Sequence, residues 1–140
     1  MAEFTSTTTQ TVAAGQILPL TETATKGTNC INHRAGAGNV TLRGLTNQCK
    51  ALYKVSFGGN IAIPTGGTVG AISVALAVSG EALTSATAIV TPAAVDQYSN
   101  VFTAVFVEVP RGCCVTVALK NTSAQTINIA NSNLIIERVA

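Results

Sequence analysis

Charged residues are scarce in this sequence. Of its 140 residues, 10% are Asp, Glu, Lys or Arg, whereas an ordinary soluble domain has about 25%. The formal net charge of +2 is too small to indicate nucleic-acid binding, and no basic run is present. A chain with so little charge stays soluble if it covers much of its surface with copies of itself. The composition therefore predicts self-association and no nucleic-acid partner.

Long hydrophobic runs are also missing. The longest candidate, Val69 to Val78, is interrupted by Ser73 and is much shorter than the roughly 18 apolar residues of a membrane-spanning helix. The start of the chain, Met1 to Phe4, lacks the basic and apolar segments of a signal peptide. We therefore predict no membrane partner and synthesis in the cytoplasm.

The four cysteines do not form a metal motif. No C-x-x-C is present, and the adjacent Cys113 and Cys114 would point to opposite faces of a strand, so zinc has no support. Cys49 and Cys113 are interpreted as small core residues. A disulfide between Cys30 and Cys49 is left open as the minor alternative, because cytoplasmic synthesis disfavours disulfides.

No catalytic constellation is recognisable either. His33 is the only histidine, and it lies three residues from Cys30, so the two side chains would face opposite sides of a strand. Glu108 and Glu137 lie within apolar strands, where pairing with a basic residue at a strand end is the simplest interpretation. No phosphate-binding glycine motif is present. The sequence therefore predicts no catalytic, cofactor-binding or metal-binding residue and no enzyme activity.

Alternation at period two is the main pattern that the sequence contains. In Gln48 to Phe57, one face carries Cys49, Ala51, Tyr53, Val55 and Phe57, and the other carries Lys50, Leu52, Lys54 and Ser56. Because successive side chains of a strand point to opposite faces, this segment is predicted to be a strand with one dry face. A turn is predicted at Gly58–Asn60.

Further strands follow at roughly even spacing. Val69–Val78 and Asn100–Val109 are apolar on both faces over most of their length, so both are predicted to be covered on both sides. Ala82–Ala94 is the one stretch where a helix competes, but its Thr and Val content favours a strand, which is predicted at Ala82–Val90. Other predicted strands are Cys30–Arg34 with Val40–Arg43 as a hairpin, Cys113–Lys120, Thr126–Ile129 and Asn133–Val139. Val12–Leu20 is predicted to be either an edge strand or a strand broken at Pro19. Such a series predicts an all-β sandwich or barrel.

The beginning of the chain differs from the rest. Residues 5–11 are polar and rich in threonine, so residues 1–11 are predicted to be an extended arm with nothing to bury. Residues 12–140 are predicted to form one domain, because their length suits a single core.

Several segments together resemble a known family. They are ALYKVSF, IPTGGTVG, AISVALAVSGEAL, NVFTAVFVEVPRGCCVTVALKNTS and NLIIERVA. In this order they resemble the jelly-roll head of the tumour necrosis factor-like superfamily, in the bacterial and phage branch that includes the heads of spore-surface glycoproteins. The whole chain is also similar to small phage and prophage proteins of gut Firmicutes. It has no Gly-X-Y collagen repeat.

The resemblance implies a jelly-roll sandwich at residues 12–140 and a structural role. We expect a homotrimer that serves in the virion as a capsid decoration or head-fibre-like protein, with phage capsid or fibre proteins as its partners. The arm at residues 1–11 would be its anchor. The alternative is a receptor-binding tip that recognises host glycan. Sugars stack on aromatic rings, but the chain has no Trp, and Tyr98 is its only plausible loop aromatic.

Overall fold

The computed structural model describes residues 2–6, 8–25, 31–33, 36, 38–43, 50–110 and 114–139. Within these residues, eleven strands form two antiparallel sheets and no helix. The strands are β1 Ala2–Ser6, β2 Gln10–Val12, β3 Glu22–Thr25, β4 Ile31–His33, β5 Val40–Arg43, β6 Lys50–Ala62, β7 Ile72–Val78, β8 Glu81–Val90, β9 Ser99–Pro110, β10 Cys114–Asn121 and β11 Ile127–Arg138. Six strands form sheet A in the order β3-β1-β11-β6-β9, with β2 also paired to β11; the other five form sheet B in the order β4-β5-β10-β7-β8. The predicted all-β class is confirmed.

Strand β6 runs through the middle of sheet A, as its alternation predicted. Tyr53 and Phe57 are completely buried with the other described residues of the dry face, while Lys54 is exposed on the opposite face. The predicted turn at 58–60 is wrong, because β6 continues to Ala62. Strand β9 pairs with both Gly58 and Gly59, and β11 pairs with Gly58 and Asn60, so the segment stays extended within the sheet.

One hydrophobic core fills the space between the sheets. Among the described residues, side-chain hydrogen bonds link the two sheets across that space. The Tyr53 hydroxyl of sheet A donates to the Arg43 carbonyl of sheet B at 2.7 Å, and the Thr103 hydroxyl donates to the Ala86 carbonyl at 2.7 Å. Both bonds satisfy polar groups that would otherwise be costly to bury.

The N-terminal segment is part of the sandwich. Strand β1 lies between β3 and β11, and its alternating residues Ala2, Phe4 and Ser6 are buried. The prediction of an arm with nothing to bury is therefore wrong for residues 2–6. Their main partner is almost a full chain length away, as the pairing of Ala2 with Ile136 shows, and local polarity carries no information about such a distant partner.

Residues 13–21 join β2 to β3, both of sheet A, and pass beside sheet B. The predicted strand Val12–Leu20 reduces to the end of β2 and an isolated bridge between Ile17 and Lys120. The amide of Leu18 donates to the Leu119 carbonyl at 2.9 Å, which places this segment beside β10 of sheet B. Leu18 and Leu20 are buried, so the segment still contributes to the core.

Three other predicted features can be compared directly with the structure. The hairpin of β4 and β5 and the strand at β8 are confirmed. The two closing strands predicted at 126–129 and 133–139 are instead one strand, β11, with a bulge between Ala130 and Asn133. Asn131 takes a φ of 52° within this irregularity. A bulge lets one strand keep pairing past an extra residue, which explains why the polar Asn-Ser-Asn segment does not end the strand.

Candidate functional site: the outer face of sheet A

The side of sheet A that points away from the core carries the two most exposed aromatic side chains of the described residues. On the edge strand β9, Phe102 and Phe106 are 67% and 61% exposed. The other side chains of this outer face, by alternation with the buried ones, are Ala104, Glu108, Leu52, Lys54, Ser56, Asn133, Ile135, Glu137, Glu3 and Thr5. We call this surface the outer face of sheet A.

The prediction that β9 is covered on both sides is wrong within the single chain. Val101 and Val109 are buried against the core, as expected, but Phe102 and Phe106 face outward. Strand β9 is apolar on both faces although it lies at the edge of its sheet. Large exposed apolar surfaces on soluble proteins mark interaction sites.

The strand register arranges this face in rows. Phe102 lies opposite Gly58, Ala104 opposite Ser56, and Phe106 opposite Lys54. The small pair Ala104 and Ser56 therefore lies between the two aromatic rows. Two aromatic rings therefore project from the face, separated by a row of small side chains.

Polar groups surround this apolar area. At one end, the Asn100 amide donates to the Asn60 oxygen at 3.2 Å. On the side away from β9, the Asn133 amide donates to Glu3 Oε2 at 3.2 Å. Protein–protein interfaces have the same arrangement of an apolar centre and a polar rim.

Charged residues lie at the opposite end of the face. Lys54 lies directly across from Glu137 in the register, and Glu108 lies one row further along β9. The register is compatible with the predicted pairing of Glu137 with a basic residue.

Comparisons with known proteins agree on the fold. No protein-family model and no curated protein matches the sequence. Among solved structures, the chain is similar to the Eiger TNF of S. frugiperda, with a TM-score of 0.72 and 14% identity over 99% of this chain and 91% of that one. It is also similar to the globular domain of zebrafish complement 1qA, with a TM-score of 0.60 and 8% identity over 96% and 94%. Murine APRIL is similar with a TM-score of 0.58 and 9% identity over 95% of this chain and 97% of that one.

The fold is a tumour necrosis factor-like jelly roll. The predicted fold class is therefore confirmed. At these identities the likeness shows architecture alone, and it gives no support to the bacterial and phage branch. Among the residues described, no helix has the length and hydropathy of a membrane span.

Of the four cysteines considered in the sequence, the structure describes Cys114 alone. Cys30, Cys49 and Cys113 lie outside the described residues, so the suggested Cys30–Cys49 disulfide stays untested. Cys114 begins β10 and is exposed. In the described part of the chain, no three His, Cys, Asp or Glu side chains come together as a metal site.

Loops at one end of the jelly roll form a shallow surface pocket of about 290 Å³. It is lined by Thr68, Val69, Gly70, Ala71, Ala124 and Gln125. The Gln125 side chain is engaged at both ends, because its oxygen accepts from the Thr68 amide at 3.0 Å and its nitrogen donates to the Thr68 carbonyl at 2.7 Å. Gln125 therefore serves to hold two loops together. Tyr98 is exposed just before β9, as predicted.

Sequence reasoning missed a buried polar centre at Asn121. Its amide nitrogen donates to the carbonyls of Val12 and Gln125, both at 3.0 Å, and its oxygen accepts from the Ser123 amide at 2.9 Å. The Ser123 hydroxyl in turn bonds the backbone of Ser73. This centre joins β2, β7 and the loop after β10. Its one visible signal in the sequence is a polar residue that directly follows an apolar strand.

Proposed function

We propose that the protein is a non-enzymatic structural subunit that assembles as a homotrimer through the outer face of sheet A. We propose further that the trimer is a component of a phage particle, as a capsid decoration or head-fibre-like protein in the virion. The self-association rests on the structure of this face, and the particle role rests on the sequence resemblance and the low charge.

The observation that carries the self-association is the exposure of Phe102 and Phe106. Fully burying an exposed Phe side chain contributes about 1.5–3 kcal/mol. Because Phe102 and Phe106 are 67% and 61% exposed, the two rings of one subunit together offer about 2–4 kcal/mol at one contact before the entropic cost of association. Ile135 and Leu52 extend the apolar area across the sheet. Another copy supplies the same apolar surface and so explains the scarcity of charge in the whole sequence.

The position of the rings favours a cyclic assembly. They lie on the edge strand, whereas the smaller residues Ser56 and Gly58 lie towards the middle of the sheet. An edge that packs on the middle of the next subunit makes a head-to-tail contact. A contact of this kind forms a ring when its rotation closes, and three copies form the smallest such ring.

The self-association is tested by the subunit mass in solution. We expect native mass spectrometry and light scattering to show a trimer at micromolar concentration for the unmodified chain. The double variant Phe102→Ser/Phe106→Ser should be monomeric with a folded far-ultraviolet spectrum. Ile89→Ser is the matched control, since Ile89 is 69% exposed on β8 of sheet B, and it should stay trimeric. A monomeric unmodified chain or a trimeric double variant would contradict the proposal.

The particle role needs a separate test. Purified protein should co-sediment with phage particles that lack it, and the monomeric variant should bind them far less because several weak contacts on one trimer add through effective concentration. If the trimer instead binds host glycan and does not co-sediment with the particles, the receptor-binding alternative replaces the decoration role.

A further inference from the structure

An amide pair lies at the end of the apolar area on the outer face of sheet A. Asn60 of β6 and Asn100 of β9 are directly opposite each other in the register, and the Asn100 amide donates to the Asn60 oxygen at 3.2 Å. The next row along the same strands is Gly58 and Phe102. An amide pair thus borders directly on the most exposed aromatic ring of the chain.

We propose that the Asn60–Asn100 pair fixes the register and the number of subunits in the assembly, at a cost in affinity. This inference rests on the proposed self-association and identifies the residues that make it specific. The occupant of the face is another copy of this chain.

The argument begins with hydrogen-bonding capacity. Each Asn side chain has two N–H donors and an oxygen with two lone pairs. The bond between Asn100 and Asn60 uses one donor and one lone pair, which leaves both N–H groups of Asn60 to be satisfied when another subunit covers the face. A buried amide without partners costs about 1–3 kcal/mol, so subunits are favoured in arrangements that give these groups a polar partner or water.

The row structure turns this cost into a register signal. One row corresponds to two residues along a strand, or about 7 Å. A subunit displaced by one row would place its apolar side chains over the amide pair and leave Phe102 against polar surface. Apolar contacts alone discriminate poorly between such positions, because burial of area is non-directional. A single buried Asn sets register and oligomer state in coiled coils by the same physics.

A second polar pair limits displacement in the other direction. The Glu3–Asn133 pair lies further across the sheet, on β1 and β11, and strand β6 separates this pair from β9. Moving a subunit sideways across the strands would bring this carboxylate under an aromatic ring. The two pairs therefore bound the apolar area along two directions.

The test replaces the amide pair with apolar residues of strand-forming type. The double variant Asn60→Val/Asn100→Val should associate at least as tightly as the unmodified chain, but native mass spectrometry should show a mixture of dimers, trimers and larger species. Thr84→Val, an exposed site on β8 of sheet B, is the control and should give trimers alone. The single variant Asn100→Val should show the same broadening and serves if the double variant does not fold.

Two outcomes would overturn this inference without touching the proposed function. If the valine variant remains purely trimeric, the pair does not select the stoichiometry. If it dissociates to monomers, with affinity lower by more than about tenfold, the pair contributes affinity and not specificity. If the unmodified chain is itself monomeric, that result contradicts the proposed self-association, on which the role of the pair depends.

Discussion

Replacing Asn121 with Ala should destabilise the protein strongly although the change removes only a few atoms. Asn121 is 1% exposed, and its side chain makes hydrogen bonds to Val12, Gln125 and Ser123. Each such bond contributes about 0.5–1.5 kcal/mol net, and a buried group left without a partner costs more. Three bonds lost together give an expected decrease of about 3–4 kcal/mol in the free energy of unfolding.

The assay is urea unfolding followed by circular dichroism, at one fixed protein concentration because self-association makes apparent stability depend on concentration. The midpoint should fall while the dependence on urea stays the same, since the fold and its buried area are retained. Asn121→Asp should be at least as harmful, because a carboxylate would face the two carbonyl oxygens that now accept from the amide.

Asn128→Ala is the matched control. Asn128 also makes a side-chain hydrogen bond, accepting from the Thr11 hydroxyl at 3.0 Å, but this bond is exposed. Its loss should change the stability by no more than about 0.5 kcal/mol. If Asn121→Ala costs as little as Asn128→Ala, water replaces the lost partners, and the buried polar centre does not stabilise the fold as argued.

Two further predictions concern the core and the N-terminal strand. Phe57→Ala should lower the free energy of unfolding by about 3–5 kcal/mol, because the ring is fully buried; a loss under about 1 kcal/mol in denaturant unfolding would show that its environment is misassigned. Deleting residues 2–6 should lower it by about 3 kcal/mol or more, because burial of Phe4 alone contributes about 1.5–3 kcal/mol and β11 loses a paired neighbour. An unchanged melting curve for the deletion would mean that β1 is dispensable, as a free arm would be.

Local alternation identified strands that have one buried face and one exposed face. Tyr53 and Phe57 were assigned to the buried face of β6 correctly, because a half-buried strand must place its apolar residues at period two. The strand at β8 was predicted from its Thr and Val content, and the hairpin of β4 and β5 from the glycine-containing segment between two short strands. Residue type and spacing carry this information without any knowledge of the neighbours.

Pairing partners explain the main errors. The glycines at 58 and 59 have the composition of a turn, but β9 pairs with both and β11 pairs with Gly58, so they stay extended within β6. Phe4 alternates with Ala2 and Ser6, and this weak signal could have identified β1. It was outweighed by the threonines that follow, because nothing local indicates that β11 lies alongside.

For the candidate site, the sequence determined which residues share a face, and the tertiary structure decided which face is open. The apolar character of both sides of β9 follows from the order of its residues. Phe102 and Phe106 are exposed because one face of β9 packs on the core, and the described residues do not cover the other face. The difference has a physical cause: alternation is a property of one strand, whereas burial depends on what packs against it, and those groups come from distant parts of the chain.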